Sequence, residues 1–278
     1  MKPLSVGIVG CGWLGKALYK TLSDKHYDVI ATYQRPESGE QLQQLGFNIE
    51  QLSLPFTNDT PERFDCLDQD VIIIAIPPRL RHNTDYPDKI KQLVTTCEKH
   101  KVRHVILISS TAIYNGLEGV VDEDSELNQG GDKVQYLQQA EQHLSNFSRQ
   151  SSVIRLAGLL GPERHPSRFI KAGKAVDNGN NPVNLIHQED AVGNLIAIIN
   201  RTYQPNEKVP APKIYNGVSN CHCNKKTFYQ AAAATKGLEL PTFSEVQNQE
   251  ARRVSSDKSR NKLGYNYQHD DLLAWLSS

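Results

Sequence analysis

No charge of one sign dominates this chain. Its 278 residues carry 31 Lys and Arg against 31 Asp and Glu, without a long run of either, which argues against a sequence-independent grip on nucleic acid or on an anionic membrane. The partner expected is a small polar or neutral molecule. Nowhere do 18 apolar residues run together, so no membrane-spanning helix is expected. Cysteine is sparse and odd in number: Cys11, Cys66, Cys97, Cys221 and Cys223. Met1-Lys2-Pro3 runs directly into a strand pattern, so no secretory leader is expected and the compartment predicted is a reducing cytoplasm. Internal repeats and low-complexity tracts are missing as well. What is present is enough length to bury a large core, in one elaborated α/β domain or two closely joined ones.

The apolar pattern alternates between two periods. Leu4 to Val9 reads as a buried parallel strand, Trp13 to Leu22 has helical spacing, and Val29 to Tyr33 reads as the next strand, which makes one βαβ unit. Further strands are predicted in "DVIIIAIPP" (Asp70 to Pro78) and "HVILISSTAIY" (His104 to Tyr114), with the helical "YPDKIKQLVTTCEKH" between them, and another in "SSVIRLAGLLGP" (Ser151 to Pro162). This order predicts an α/β fold of the Rossmann type, a doubly wound parallel sheet with a small C-terminal substrate-side region. After Gly161, Pro, Gly and Asn crowd the sequence before a helix from Asp190 to Ile199. Helical runs follow at Lys225 to Leu238 and around Asp271 to Leu276. The division expected is a dinucleotide-binding core over 1–160 and a substrate-side region over 161–278, interleaved with the last strands of the core.

The stretch "VGIVGCGWLGKAL" places Gly10-x-Gly12-x-x-Gly15 after a strand and at the opening of a helix. That is the context in which three glycines serve a tight turn, a close approach of backbone to a pyrophosphate, and close helix packing. Free amides at the helix start would face the phosphates. A plain strand-to-helix turn explains one glycine but not three at this spacing. Trp13 and Leu14 within the loop, and Ile76 and Pro77 at the end of the "DVIIIAIPP" run, join Gly10, Gly12 and Gly15 as candidate cofactor-binding residues.

An NAD enzyme would carry an acid about 20 residues after the loop to grip the ribose 2′-hydroxyl. Here the residues are Thr32-Tyr33-Gln34-Arg35. A guanidinium without a carboxylate suits a 2′-phosphate, so NADP(H) is expected in preference to NAD(H). The alternative is that Arg35 is a solvated loop residue.

To this point the sequence resembles a β-hydroxyacid dehydrogenase equally well, and a reductase of that kind stays open. Later segments point elsewhere. "ILISSTAIYNG" followed by "VVDEDSEL" resembles the Ser-Ser-x-x-Val-Tyr-Gly strand and acidic segment of the extended and atypical short-chain dehydrogenases, the NAD(P)-dependent epimerase/dehydratase group. "RLAGLLGPER" (Arg155 to Arg164) resembles that family's Arg-x-x-x-x-Tyr-Gly-Pro-Gly-Arg. "NLIHQEDAVGNLI" (Asn184 to Ile196) resembles its Ile-His-x-x-Asp helix entry, and "IYNGVSN" near Tyr215 a later strand. The likeness extends from Val6 to about Leu263.

The resemblance implies a reaction centre with a Ser or Thr at Ser110, with Thr111 as its neighbour, and a Tyr-x-x-x-Lys pair about 25 residues onward. In such a pair the Tyr gives or takes the substrate proton, while the Lys lowers its pKa and grips the ribose. The Tyr at that distance is Tyr136, with Ala140 at the Lys position. Aligning "AEQHL" (Ala140 to Leu144) with the family's continuation instead puts Lys133 at the Tyr position and Leu137 at the Lys position. The pair is incomplete in either register, as in the atypical branch. A protonated phenol is a usable acid without a cation beside it, so Tyr136 is either a proton donor for carbonyl reduction or a packed helix residue.

The resemblance also places Asn184 and His187 on the substrate side. Asp190 is expected to cap its helix, and Ser109 to satisfy backbone groups at its strand end. "NCHCNKK" (Asn220 to Lys226) lacks zinc spacing and a second cluster, so it is read as a loop before a helix and no metal is expected. The function expected is an NAD(P)(H)-binding oxidoreductase or epimerase/dehydratase-like enzyme. It would act on a carbonyl or hydroxyl group of a sugar nucleotide or small polar molecule, as a monomer or homodimer. The rival is an NADP(H)-binding sensor or interaction protein that has lost catalysis.

Overall fold

A computed structural model describes residues 4–61, 63–78, 84–170, 174–202, 212–244 and 251–277. The first half alternates strand and helix as the apolar periods require. β1 (Ser5–Val9) leads through the glycine loop into α1 (Trp13–Asp24), then β2 (Asp28–Tyr33), α2 (Pro36–Gln44), β3 (Ile49–Gln51), β4 (Val71–Ile74), α3 (Tyr86–Lys99) and β5 (His104–Ser110). The second half runs through β6 (Gly119–Val121), α4 (Asp132–His143), β7 (Gln150–Leu156), β8 (Gly158–Leu160), β9 (Leu185–His187), α5 (Gln188–Ile199), β10 (Lys213–Gly217), α6 (Lys225–Ala234), β11 (Arg252–Val254), α7 (Asp257–Leu263) and α8 (Leu272–Leu276).

Seven strands form one parallel sheet in the order β10-β7-β5-β4-β1-β2-β3. This is the doubly wound Rossmann arrangement, whose strand order reverses between β1 and β4. All four residues of β4 and five of the first six of β5 are buried, as expected of strands covered by helices on both faces. Val71, Ile72, Ile73 and Ile74 are wholly inaccessible. α1 buries Leu14, Leu18, Tyr19 and Leu22, the single stripe that a helix lying on a sheet presents.

The chain forms two compact units. One comprises Met1–Ser110, Gln135–Ile154 and Leu195–Ile214; the other Thr111–Val134, Arg155–Asn194 and Tyr215–Ser278. The second holds two small parallel pairs, β11 with β6 and β8 with β9. It also holds its own apolar cluster of Leu160, Val183, Cys221, Phe228, Ala232, Leu272 and Leu276.

The observed boundaries differ from the sequence reading in four places. The run Ser151 to Pro162 is two strands, because at Ala157 the backbone changes partner: its N–H reaches the Gly217 carbonyl, and the N–H of Gly158 reaches Asn184. The strand in "HVILISSTAIY" stops at Ser110, and Thr111–Tyr114 is a 3₁₀ turn. The helix expected from Asp190 begins at Gln188. The helix expected over Lys225 to Leu238 ends at Ala234, ahead of Gly237 in left-handed conformation (φ 62°), which is how helices commonly stop.

Candidate functional site

The three glycines of the first loop carry three different constraints. Gly10 has φ 102°, and a Cβ there would press on Ala75 and on Ile76 Cγ2 at 3.2 Å, so a side chain is excluded by both backbone conformation and contact. At Gly15 a Cβ would lie 2.5 Å from the Gly10 carbonyl oxygen; only glycine lets α1 approach the loop this closely. Gly12 is exposed, and a Cβ there would meet nothing within 4 Å. Its constraint comes from what the loop would hold, not from the protein.

The loop is pinned to the end of β2. The Gly10 amide donates to Thr32 Oγ1 at 3.0 Å, and the Cys11 amide donates to the Thr32 carbonyl at 2.9 Å. Gly12 is the N-cap of α1, no side chain caps this helix, and its first turn carries no acid. The positive end of the helix dipole at this loop therefore favours an anion. The loop follows the carboxyl end of β1, next to β4, where the strand order reverses, which is where open α/β sheets bind ligands.

Trp13 is half-buried and Leu14 buried in the first turn of α1. Ile76 borders Gly10, and Pro77 is exposed just beyond it. Arg35 is exposed at the N-cap of α2, with Pro36 in the first turn. Its guanidinium pairs with no carboxylate among the described residues.

At the end of β5, Ser110 is half-buried and Thr111 buried. Ser109 does not serve backbone groups, as the sequence reading expected. Its hydroxyl donates to Glu141 Oε1 at 2.6 Å, both residues being buried. Spacing along the chain offers no signal for this pair, because 32 residues separate its members. Tyr136 is half-buried on α4. Both candidate Lys positions are apolar and sealed, with Leu137 wholly inaccessible and Ala140 1% exposed, so no ammonium group occupies the Lys position in either register.

Within the second unit, Tyr114 and Arg155 come from two separate family-like motifs and meet. Arg155 Nη1 donates to the Tyr114 hydroxyl at 2.8 Å, and that hydroxyl donates to Asn216 Oδ1 at 2.9 Å. Burial pushes the Tyr114 phenol up to about 12, against the opposing pull of Arg155, so it stays protonated and structural. Asn216 is held in turn by Glu123, whose carboxylate accepts its amide at 2.6 Å.

Asn184 spans two backbone groups of β11, donating to the Arg252 carbonyl at 3.0 Å and accepting from the Val254 amide at 2.8 Å. His187 is 2% exposed, with its ring 3.8 Å from that of His269 and 5.0 Å from that of Trp275. Burial and the neighbouring His269 push it down to about 4. His187, Glu189 and His269 bring ligand-type atoms within 4.8 Å of one another, and His269 Nε2 lies 2.7 Å from the Glu189 carboxylate. This cluster is absent from the sequence reading because His269 joins it from 80 residues away.

Asp190 does not cap its helix. It sits inside the first turn of α5, wholly buried, and accepts from the Tyr265 hydroxyl (2.9 Å), the Gln268 amide (2.6 Å) and the His269 amide (2.9 Å). All five cysteines are free thiols. Among the described residues no helix is long and apolar enough to cross a membrane.

Three comparisons bear on this geometry. A family model described as NAD(P)H-binding matches residues 10–190. The Escherichia coli K12 protein YeeZ is 31% identical over 277 residues, covering 96% of this chain and 97% of its own. Among solved structures, MoeE5 in complex with UDP-glucose and NAD superposes with a TM-score of 0.78 at 17% identity, covering 98% of this chain and 96% of that one. The UDP-glucuronic acid 4-epimerase of Bacillus cereus in complex with NAD superposes with a TM-score of 0.74 at 16% identity, over 99% and 96%. At such identities these two structures speak to the fold.

Proposed function

The chain belongs to the NAD(P)H-binding family matched over residues 10–190, and from that premise we propose that it is a nicotinamide-dependent oxidoreductase or epimerase/dehydratase-like enzyme of the cytoplasm. It acts on a carbonyl or hydroxyl group of a sugar nucleotide or similar small polar molecule. Residues 1–160 carry the nucleotide core and 161–278 the substrate side. The observation that carries this reading is the division of labour among the glycines. Gly10 and Gly15 are excluded from bearing side chains by the protein itself, whereas Gly12 faces open space at a helix start that carries no acid in its first turn. A pyrophosphate is the group that such a cradle fits.

When bound, the nicotinamide supplies the hydride chemistry. The chain's own groups hold and orient. The α1 amides take the pyrophosphate, and Arg35 takes a ribose 2′-phosphate, which makes NADP(H) the preferred form. Ser110, with Thr111 as its neighbour, holds the substrate oxygen, and Tyr136 donates the proton as that oxygen gains charge. Because no ammonium group stands at the Lys position, this phenol works as an acid and carbonyl reduction is the favoured direction. Asn184 and His187 act on the substrate side, Asn184 by fixing β11 and His187 through its packing on Trp275. MoeE5 is seen with UDP-glucose and NAD, and the Bacillus UDP-glucuronic acid 4-epimerase with NAD, which supports the substrate class.

The apolar Leu137 and Ala140 favour a second reading, an NADP(H)-binding sensor or interaction protein without turnover. Titration with NADPH and NADH, followed by nucleotide and Trp fluorescence, tests both. Saturable NADPH binding with reduction of members of a keto-sugar panel establishes the enzyme. Saturable binding with no turnover on the whole panel establishes the sensor. The absence of binding by either nucleotide overturns both.

A further inference from the structure

Cys221 and Cys223 lie in the loop between β10 and α6, and their Sγ atoms are 3.4 Å apart. The loop is held from both sides. The Val183 amide donates to the Cys223 carbonyl at 3.0 Å, the Lys225 amide donates to Asn181 at 2.9 Å, and Asn224 caps α6 by accepting from the Thr227 amide at 2.8 Å. Cys221 packs into the apolar cluster of Phe228, Ala232, Leu272 and Leu276, whereas half-buried Cys223 keeps the pair in touch with solvent.

The two thiols are not equivalent. The Cys221 sulfur faces the Cys223 thiol and the backbone amides of Cys223, Leu272 and Leu273, which together draw it down to about 6 despite burial. The Cys223 thiol, in contact with that sulfur, is pushed up. The remaining cysteines behave otherwise. Burial raises the Cys66 thiol and lifts those of Cys11 and Cys97 to about 12, the state of inert structural cysteines.

We propose that Cys221 and Cys223 form a hydroperoxide-reactive dithiol that closes to an intramolecular Cys-x-Cys disulfide, a modification site separate from the glycine loop. In the first step the Cys221 sulfur attacks the outer oxygen of a hydroperoxide. The O–O bond breaks, the alkoxide leaves and takes a proton, and Cys221 becomes a sulfenic acid. In the second step the Cys223 sulfur attacks the Cys221 sulfur, the S–O bond breaks, and hydroxide leaves as water with the proton Cys223 gives up. The dithiol loses two electrons and the peroxide gains two; two thiols and one hydroperoxide yield one disulfide, one alcohol and one water. Closure moves the sulfurs together by about 1.4 Å, to the bond length of about 2.05 Å.

The test exposes the reduced full chain to hydrogen peroxide or tert-butyl hydroperoxide, quenches with an alkylating reagent and maps peptides. The expected result is a single peptide carrying both cysteines, lighter by about 2 Da and closed to alkylation until reduced. It should form at least about tenfold faster than any change at Cys11, Cys66 or Cys97. In Cys223→Ser the sulfenic acid at Cys221 persists and is trapped by dimedone. The proposal is overturned if both cysteines alkylate fully after peroxide, if they oxidise no faster than the other three, or if they link only between chains. The peptide reading on the unsubstituted chain stands alone should the variant fail to fold.

Discussion

The Gly10 amide donates to the Thr32 side-chain oxygen at 3.0 Å, so the turn that would hold the pyrophosphate is fixed by the neighbouring strand rather than by its own residues. Thr32 is 2% exposed, and its hydroxyl has a positioning role. Thr32→Val keeps the shape and removes the acceptor, leaving a strand-end amide unpaired at a cost of about 1–3 kcal/mol. The expected outcome is a folded protein with lower thermal stability and nucleotide affinity weakened about tenfold, read by denaturation and by NADPH titration.

Gly15→Ala and Gly12→Ala should part company. A Cβ at Gly15 collides with the Gly10 carbonyl, whereas one at Gly12 meets open space. Gly15→Ala is expected to lose about 1–3 kcal/mol of stability through overpacking, along with nucleotide binding. Gly12→Ala is expected to unfold at nearly the original urea midpoint while nucleotide binding falls at least about tenfold, because the added methyl blocks close backbone approach. Equal losses of stability in the two variants would contradict the assigned roles.

Arg35→Ala is expected to weaken NADPH binding by about ten- to a hundredfold, the range for a charge-assisted pair to phosphate, and to leave NADH binding unchanged. Parallel titrations of the two nucleotides read the difference. An equal drop for both would mean that Arg35 supports the shape of the loop, not a phosphate.

His104 makes acid costly to the fold. Its ring is wholly buried, with Ser152 at 2.9 Å and Thr202 at 3.0 Å on its two nitrogens, and burial reinforced by the charge of Lys213 pushes it down to about 3. In the unfolded chain it titrates near 6.5, so below that value the unfolded state takes up a proton that the native state refuses. This contribution is complete above about pH 6.5 and is lost as pH falls toward 3, with a slope approaching about 1.4 kcal/mol per pH unit. His187, pushed down to about 4, acts in the same direction. Urea midpoints should therefore fall from pH 7.5 to pH 5. In His104→Gln the midpoint should be lower at pH 7.5, with a shallower fall.

Asp190→Asn removes a charge that answers three donors and turns one acceptor into a donor. The remaining oxygen can serve either the Gln268 or the His269 amide, and the other, left facing a donor, would cost about 1–3 kcal/mol, measurable as a lower melting temperature. Gly193→Ala tests the same junction sterically, since a Cβ there would lie 2.1 Å from Tyr265 Cζ.

The first βαβ unit was legible because a buried parallel strand, an amphipathic helix and three spaced glycines are local signals, and β1, α1 and β2 lie within a residue or two of their expected limits. Arg35 at a strand end and the missing Lys at Leu137 or Ala140 were legible in the same way. The role of Asp190 was not. A carboxylate near a helix start looks like a cap, and only the fold brings Tyr265, Gln268 and His269 to it from 75 to 79 residues away. Ser109 with Glu141, His187 with His269, and the split of the strand at Ala157 failed to show for the same reason. Each depends on partners that tertiary structure supplies, and no periodicity encodes a partner.

The discontinuity of the second unit sets the timing of folding during synthesis. Its three stretches, 111–134, 155–194 and 215–278, alternate with those of the first unit. Asp190 leaves the ribosome long before the groups that neutralise its burial. At about 5–20 residues per second, the 75 residues between Asp190 and Tyr265 take several seconds to make. For that interval the Asp190 carboxylate lacks the three donors that surround it in the folded protein. Assembly around Asp190 is therefore expected only after residues 265–269 have been made.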